Sequence, residues 1–493
     1  MIMRKIIYTL GLLLAFTACT DLDDDLTDKI PFDKFPENEE QAALMIVPVY
    51  KPMQDFIDWG GWWFCQELTS DEVVCPTRHT DWDDGGKWRV LYQHAWDNKT
   101  EAVTAMWSRF YKGIVEANRL IEIFEPNASE PAVAANVAKL KIMRAYYYYL
   151  LIDNYGDVPF VTSFSKAEEQ PSKTPKAFIF QSIVNEVNES IPHLNSSVSK
   201  TAVTKGMAFS LLAKLYLNAQ VYAGVTRWDS AEMACDSVIA LGSYSLESDP
   251  MAPFVTNNTN SPENIFTIPY DEDTYTGFNL HMRTLHYNNN LTFNMPVGPW
   301  NGFAVTEQHY NTYSSNDKRK VGYFMVGQQF TAANQPITDA VAGSPLIFNP
   351  RIPSLVMDAT LTPQEIRMSG ARVKKFEIKM GAKDNLSNDF PIFRLGDIYL
   401  MKSEARVRQG LNGDSWLNEI RLRAGLTGIT GATLDDILAE RGRELFWEAH
   451  RRQDLIRFGK FNQGWWEKTA SDASRRTFPI PQWVIDSNPN LAK

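Results

Sequence analysis

Some stretches of this chain carry apolar stripes that only a helix can bring to one side. In 201–222, Ala208, Leu211, Leu212, Leu215, Ala219 and Tyr222 recur at steps of three and four, the spacing of a single helical face. In 102–124, Trp107, Tyr111, Ile114, Asn118 and Ile121 do the same. A strand would scatter these residues over both of its faces. A further helix is expected over 132–154, closed by Gly156, a good C-terminal signal. Others are expected over 176–194, 229–241, 393–409, 416–424 and 434–458.

The helices come in pairs. After 201–222 comes Trp228-Asp229-Ser230-Ala231-Glu232-Met233-Ala234, with Val238 and Leu241 beyond. Alanines facing a Leu/Tyr helix let two axes approach closely, as in a tetratricopeptide (TPR) unit. The stretch 394–410 with 415–424 reads as another pair. Between about 243 and 389 the composition shifts to Asn, Gly, Pro, Thr and aromatics, as in NNNLTFNMPVGPWNGFAV. Helical stripes fade there and turn dipeptides multiply. Short strands are expected at 265–269 and 373–379. The fold class expected is mainly α: a TPR-like α-superhelix, with helices at about 102–241 and 393–458. It carries an irregular, loop-rich ligand-binding part at about 243–389 and a few short strands. No Pro/Ser linker separates that part, so 37–493 is expected to be one domain.

The opening, MIMRKIIYTLGLLLAFTACTDLDDDLTDK, changes sharply at Cys19. Arg4 and Lys5 precede an apolar run of signal-peptide length, 6–16, which is too short to span a membrane. Small residues before Cys19 resemble a bacterial lipobox, although Thr17 stands where Leu or Ala is more usual. Residues 1–18 are thus expected to be a lipoprotein signal peptide, and Cys19 the lipidated first residue of the mature chain. Several acyl chains anchor firmly where one does not. The acidic run Asp21, Asp23, Asp24 and Asp25 opens a tether expected to reach residue 36. Cys65, Cys75 and Cys235 remain, with no CxxC pair and no metal spacing. Cys65 and Cys75 could bridge in an oxidising compartment; Cys235 reads as a small core residue.

A net charge of −10 without a basic arm argues against nucleic acid as a partner. No G-x-S-x-G, H-E-x-x-H, Walker A or G-x-G-x-x-G motif occurs. Asp81, Asp83 and Asp84 in RHTDWDDGGKW are the nearest thing to a carboxylate pair, but their spacing in a Gly-rich loop does not set the separation a glycosidase needs. The expectation is a non-enzyme with no catalytic residue, no metal and no cofactor. The 14 Trp and 12% aromatics point elsewhere. Most aromatics fill cores, yet an indole also packs against a sugar ring.

Several motifs then fall in the order of one family: YGDVPF at 155–160, RLGDIYLMKSEA at 394–405, and ERGRELFWEAHRRQDLIRFGKF at 440–461. ELTSDE at 67–72 ahead of Pro76-Thr77-Arg78, FPIP at 478–481 and Asn488-Pro489-Asn490 complete the set. With the lipobox, the chain resembles the SusD/RagB family of nutrient-binding outer-membrane lipoproteins. The end, NPNLAK, departs from the family's usual N-P-G. The resemblance implies a TPR-like superhelix bearing the ligand site, no catalysis, and a SusC-like TonB-dependent transporter as partner. The implied location is the outer membrane, held by lipid through Cys19, with an oligosaccharide as ligand. An oligopeptide cargo, a surface glycoside hydrolase and a TPR-type scaffold are the alternatives. Within 440–461, Arg441, Arg443, Arg451 and Arg452 are expected to pair with Glu440, Glu444, Glu448 and Asp454 as a packing network.

Two loops combine turn chemistry with aromatics. In 78–86, Trp82 and Asp83 are loose counterparts of ligand-contacting residues in starch-binding members, and Arg78 is expected either at the ligand or holding the loop through Asp81 or Asp84. In 298–303, Trp300 is expected to stack on a sugar and Asn301 to offer a donor and an acceptor. His286 and Tyr287 are weaker candidates.

Overall fold

The computed structural model describes residues 39–195 and 198–492. Cys19, the signal stretch 1–18 and the acidic tether to residue 36 lie outside the described residues. Glu39–Met45 is a short helix in a unit of its own, and Ile46–Lys493 forms the second unit. The second unit is mainly α-helical, as the apolar stripes require.

Its frame is built from α1 (Glu101–Phe124), α2 (Pro131–Tyr155), α3 (Lys176–Ser190), α4 (Lys205–Leu217) and α5 (Trp228–Ala240). After the irregular part come α6 (Leu395–Arg408), α7 (Asp414–Arg423), α8 (Leu434–Glu444) and α9 (Arg451–Arg457). α1 packs on α2, α2 on α3, and α4 on α5. α5 then packs on α6, which packs on α7 and α8. The α5–α6 contact makes one frame of helices that the sequence separates. α2 is apolar nearly all round: Tyr146 to Leu151 are all buried, as expected of a helix with neighbours on every side.

The irregular part is closed at its base by Asn264–Ile268, which pairs antiparallel with Phe390–Arg394. The expected strand at 265–269 is thus present. The one expected over 373–379 shrinks to Arg372–Val373, paired with Phe324–Met325. Two more short strand pairs lie at the roots of surface loops. Val73–Val74 pairs with Ala304–Val305, and Thr77–Arg78 runs parallel to Val356–Met357.

Two expected helices are broken. The 201–222 helix starts at Lys205, where Thr204 Oγ1 accepts from the Met207 N–H at 3.2 Å. It stops at Leu217 and resumes as Ala219–Ala223 beyond Asn218. The 434–458 helix is interrupted between Glu444 and Arg451, where Trp447 and Ala449 take φ of 69° and 65°. The cause is a set of long-range partners. Lys375 Nζ donates to the carbonyls of Glu444 (2.9 Å) and Phe446 (2.8 Å), and the Ala449 N–H donates to Glu67 Oε1 (2.6 Å). Backbone groups given to these partners cannot continue the helical ladder.

The expected charge network exists, and it reaches beyond 440–461. Arg441 binds Asp454 (2.8 Å) and Asp397 (2.9 Å), and Arg443 binds Glu440 (2.6 Å). Glu444 accepts from Arg319 and Arg394, each at 2.8 Å, and Arg394 also binds Glu263 and Glu448. Two expected pairings are corrected. Arg451 binds Asp71 at 2.7 Å, and Arg452 donates to the Arg476 carbonyl at 2.6 Å. Burial alone would raise the pKa of Glu444, but Arg423, Arg394, Arg319 and Lys375 outweigh it and hold it well below the carboxylate range. Arg319 and Glu263 belong to the irregular part, so the network ties that part to the frame. Cys65, Cys75 and Cys235 are all free and buried, so the Cys65–Cys75 bridge is not formed.

Candidate functional site

The two loops singled out in the sequence meet. The first leaves the Thr77–Arg78 strand and turns at once: Arg78 and Asp81 exchange backbone hydrogen bonds of 2.9 and 3.1 Å. His79, Trp82 and Asp84 then take left-handed φ of 63°, 58° and 44°. Left-handed residues other than glycine are costly and are kept only where the surroundings enforce them. The second loop is pinned to Leu280–Thr284 and the residue after it. Trp300 N–H donates to the Met282 carbonyl (2.7 Å), Asn301 N–H to Leu285 (2.8 Å), and Phe303 N–H to Arg283 (2.8 Å). Both loops therefore spring from short strand pairs anchored in the same core.

Trp82 Nε1 donates to the Trp300 carbonyl at 2.7 Å. The neighbouring Gly302 is needed for this: a Cβ there would stand 2.4 Å from the Trp82 indole. Both Trp82 and Trp300 are half-buried, so each packs on the body and keeps an accessible part. Beneath them Trp82 contacts Phe303 and Trp88, with ring centres 5.3 and 5.8 Å apart.

The other sequence candidates take different places. Arg78 is buried; it donates to the carbonyls of Ile366 (2.7 Å) and Ser369 (3.0 Å). Those carbonyls lie at the end of the Pro363–Met368 helix, where a cation is favoured. Arg78 thus holds the loop, but through these carbonyls and not through the Asp81 or Asp84 carboxylates. Asn301 is fully buried: its Nδ2 donates to the Arg367 carbonyl (3.1 Å) and its Oδ1 accepts from Arg372 (2.7 Å). That placement corrects the expectation of a side chain turned outward. Asp83 is engaged by Arg89 at 2.8 Å, whose hydrogen bond holds its pKa below the usual value. Asp84 accepts from Trp88 Nε1 at 2.7 Å.

Groups that sequence patterns mark weakly or not at all complete the face. Tyr287 is half-buried, and its hydroxyl donates to the exposed Asp81. Burial and the Asp81 contact push its pKa up to about 12. Arg367 lies over the Tyr287 ring, 4.7 Å from its centre, and binds Asp339 through two nitrogens. Trp59 is 47% exposed. The buried Arg283 guanidinium sits 4.7 Å from its ring, 4.6 Å from Phe64 and 5.9 Å from Trp300. Asp58 in turn binds Arg283 at 3.0 Å. The GGWW run after Trp59 is a usable signal, since Gly61 needs φ of 86°. Nothing local marks Arg283. His286 is buried, and burial lowers its pKa to about 3, so it is a neutral packing group.

Aromatic surfaces rimmed by fixed polar groups suit a ligand with flat apolar faces and hydroxyl edges. Among the described residues no group of three or more His, Cys, Asp or Glu gathers as a metal site. Comparison with known proteins agrees with this architecture. Residues 359–474 match a family model described as the SusD family, and residues 66–217 match one described as starch-binding associating with outer membrane. The chain is 24% identical over 472 residues to the starch-binding protein SusD of Bacteroides thetaiotaomicron, covering 87% of this chain and 84% of that one. It is 23% identical to SusD-like protein P25 of Formosa agariphila, covering 99% and 98%. Among solved structures it is similar to a laminarin binding SusD-like protein (TM-score 0.73, 22% identity, 92% of this chain and 98% of that one). It is also similar to surface glycan-binding protein A of Bacteroides thetaiotaomicron in complex with laminarihexaose (TM-score 0.74, 21% identity, 92% and 98%). The fold is that of the SusD-like proteins. The chain belongs to the SusD/RagB family.

Proposed function

We propose that this protein is a non-catalytic cell-surface lipoprotein that binds glycan oligosaccharides and delivers them to a SusC-like TonB-dependent outer-membrane transporter. The observation that carries the ligand site is the bond from Trp82 Nε1 to the Trp300 carbonyl, which ties the Trp82 indole to the backbone of the second loop, both tryptophans being part-exposed. Tyr287 and Asp81 border them and supply hydroxyl and carboxylate oxygens. Relatives named for binding starch, laminarin or surface glycans support a glycan cargo, and their naming as binding proteins supports a role without catalysis. The description of the 66–217 match supports the outer membrane as the location. Cys19 is the proposed lipid anchor, residues 19–36 the tether and 37–493 the binding domain.

The test is calorimetric titration with laminarihexaose and maltoheptaose. One of them, or a member of a wider panel, binds the protein. Trp82→Ala and Trp300→Ala each weaken that binding about tenfold, because a lost aromatic stack is worth about 1–1.5 kcal/mol. Wild-type affinity in both variants would remove the site. Release of shorter sugars from the panel would overturn the non-catalytic role. Retention of palmitate label and of membrane association in Cys19→Ala would overturn the anchor.

A further inference from the structure

The helical frame contains a cavity that the aromatic face does not use. Its volume is about 360 Å³, and it lies among α2, α3, α4, α5, α6 and α9. That is within the size range of small-molecule sites. Its polar lining is dominated by cations: Lys176, Arg408, Arg457 and Arg476, against Asp153. The charges are unevenly matched. Arg457 is committed to Glu404 and Asp454, both at 2.7 Å. Arg408 shares Glu404 through Nε at 2.8 Å. Its side chain is only 10% exposed, and its Nη2 is buried with no hydrogen-bond partner among the described residues. The Lys176 ammonium donates to the Val221 carbonyl and the Arg476 guanidinium to Asn462 Oδ1, and neither side-chain cation forms an ion pair with a carboxylate among the described residues. Asp153 is occupied by the Tyr222 hydroxyl (2.7 Å) and Gln453 (2.8 Å). The half-buried Trp228 indole forms part of the wall.

We propose that this cavity binds a small organic anion, one carboxylate or sulfate on a body about the size of a sugar ring. Arg408, Lys176 and Arg476 hold the oxyanion, and Trp228 packs against the body. An orphaned buried guanidinium N–H is costly until an acceptor meets it, and an oxyanion supplies that acceptor with the matching charge. A neutral ligand leaves the surplus positive charge unpaired.

The full chain is titrated by calorimetry with D-glucuronate, with D-glucose and with sodium sulfate, following Trp fluorescence in parallel. D-Glucuronate is expected to bind with one site per chain and at least tenfold more tightly than D-glucose. The double variant Lys176→Gln/Arg476→Gln alters two side chains outside the core and is expected to weaken glucuronate at least tenfold, with an unchanged melting temperature. Trp82→Ala leaves glucuronate affinity as it was. Sulfate that competes with glucuronate supports recognition of the oxyanion by itself, and sulfate that does not compete supports recognition of oxyanion and ring together. Equal affinity for glucose and glucuronate, absence of glucuronate binding, wild-type affinity in the double variant, or loss of binding in Trp82→Ala would each overturn the proposal.

Discussion

Gly302 shows how one residue carries the proposed binding face. Its missing side chain is the space into which the Trp82 ring fits, and a Cβ would come within 2.4 Å of it. Gly302→Ala must therefore push the indole outward and strain its bond to the Trp300 carbonyl. The expected result is an oligosaccharide affinity lowered about tenfold, like that of Trp82→Ala, with a stability loss of about 1–3 kcal/mol from overpacking. Calorimetry and thermal melts on one sample separate the two effects. The side chains of this site are unevenly legible in the sequence. Trp82 and Trp300 can be chosen because aromatics in turn-rich loops are unusual. Arg78 and Asn301 cannot be assigned, because residue type does not say whether a polar group faces a ligand or a backbone carbonyl. Their partners, Ile366, Ser369, Arg367 and Arg372, lie far along the chain.

At the scale of elements, the helix pairs are legible because periodicity is local. α4 with α5, and α6 with α7, are found close to where the stripes put them. The break after α8 is not legible, because residues 445–450 read as a continuing helix. Its cause lies with Lys375 and Glu67, which no local pattern connects to it. Pair geometry also rests on small residues. A Cβ on Gly113 of α1 would stand 2.1 Å from the Tyr147 ring of α2. That ring is held at its far end, where the hydroxyl donates to the Val49 carbonyl at 2.7 Å. Gly113→Ala gains up to about 1 kcal/mol of helix propensity. The α1–α2 contact loses more, about 1–3 kcal/mol, because neither ring nor helix can move aside freely. The net expectation is a lower denaturation midpoint, measured in guanidinium.

For the whole molecule, the buried charges predict a stability profile with two limbs. Asp397, Glu404, Glu444, Glu448 and Asp454 are all buried, which by itself would raise their pKa values, but the arginines and lysines around them lower these below the ordinary carboxylate values. The unfolded chain then binds more protons than the folded one in acid. Stability is fully present above about pH 4–5 and is lost as pH falls below it. Glu67 acts in the opposite sense. Burial raises its pKa to about 8 from 4.5. Its Oε1 accepts from the Ala449 N–H, while Oε2 is buried with no hydrogen-bond partner among the described residues to offset the loss of water around a charge. Between pH 4.5 and 8 the folded state keeps a proton that the unfolded state releases, so stability falls as pH rises through that window. Glu67→Gln keeps the Oε1 acceptor and removes the titration. It should leave the acid limb unchanged and lessen the decline above pH 5, with a gain that grows with pH toward about 4 kcal/mol at pH 8, while the buried Glu72, its pKa also raised, still titrates. Thermal melts of both proteins from pH 4 to 9 read this directly. Parallel curves for wild type and variant across the whole range would mean that Glu67 titrates alike in the folded and unfolded chains.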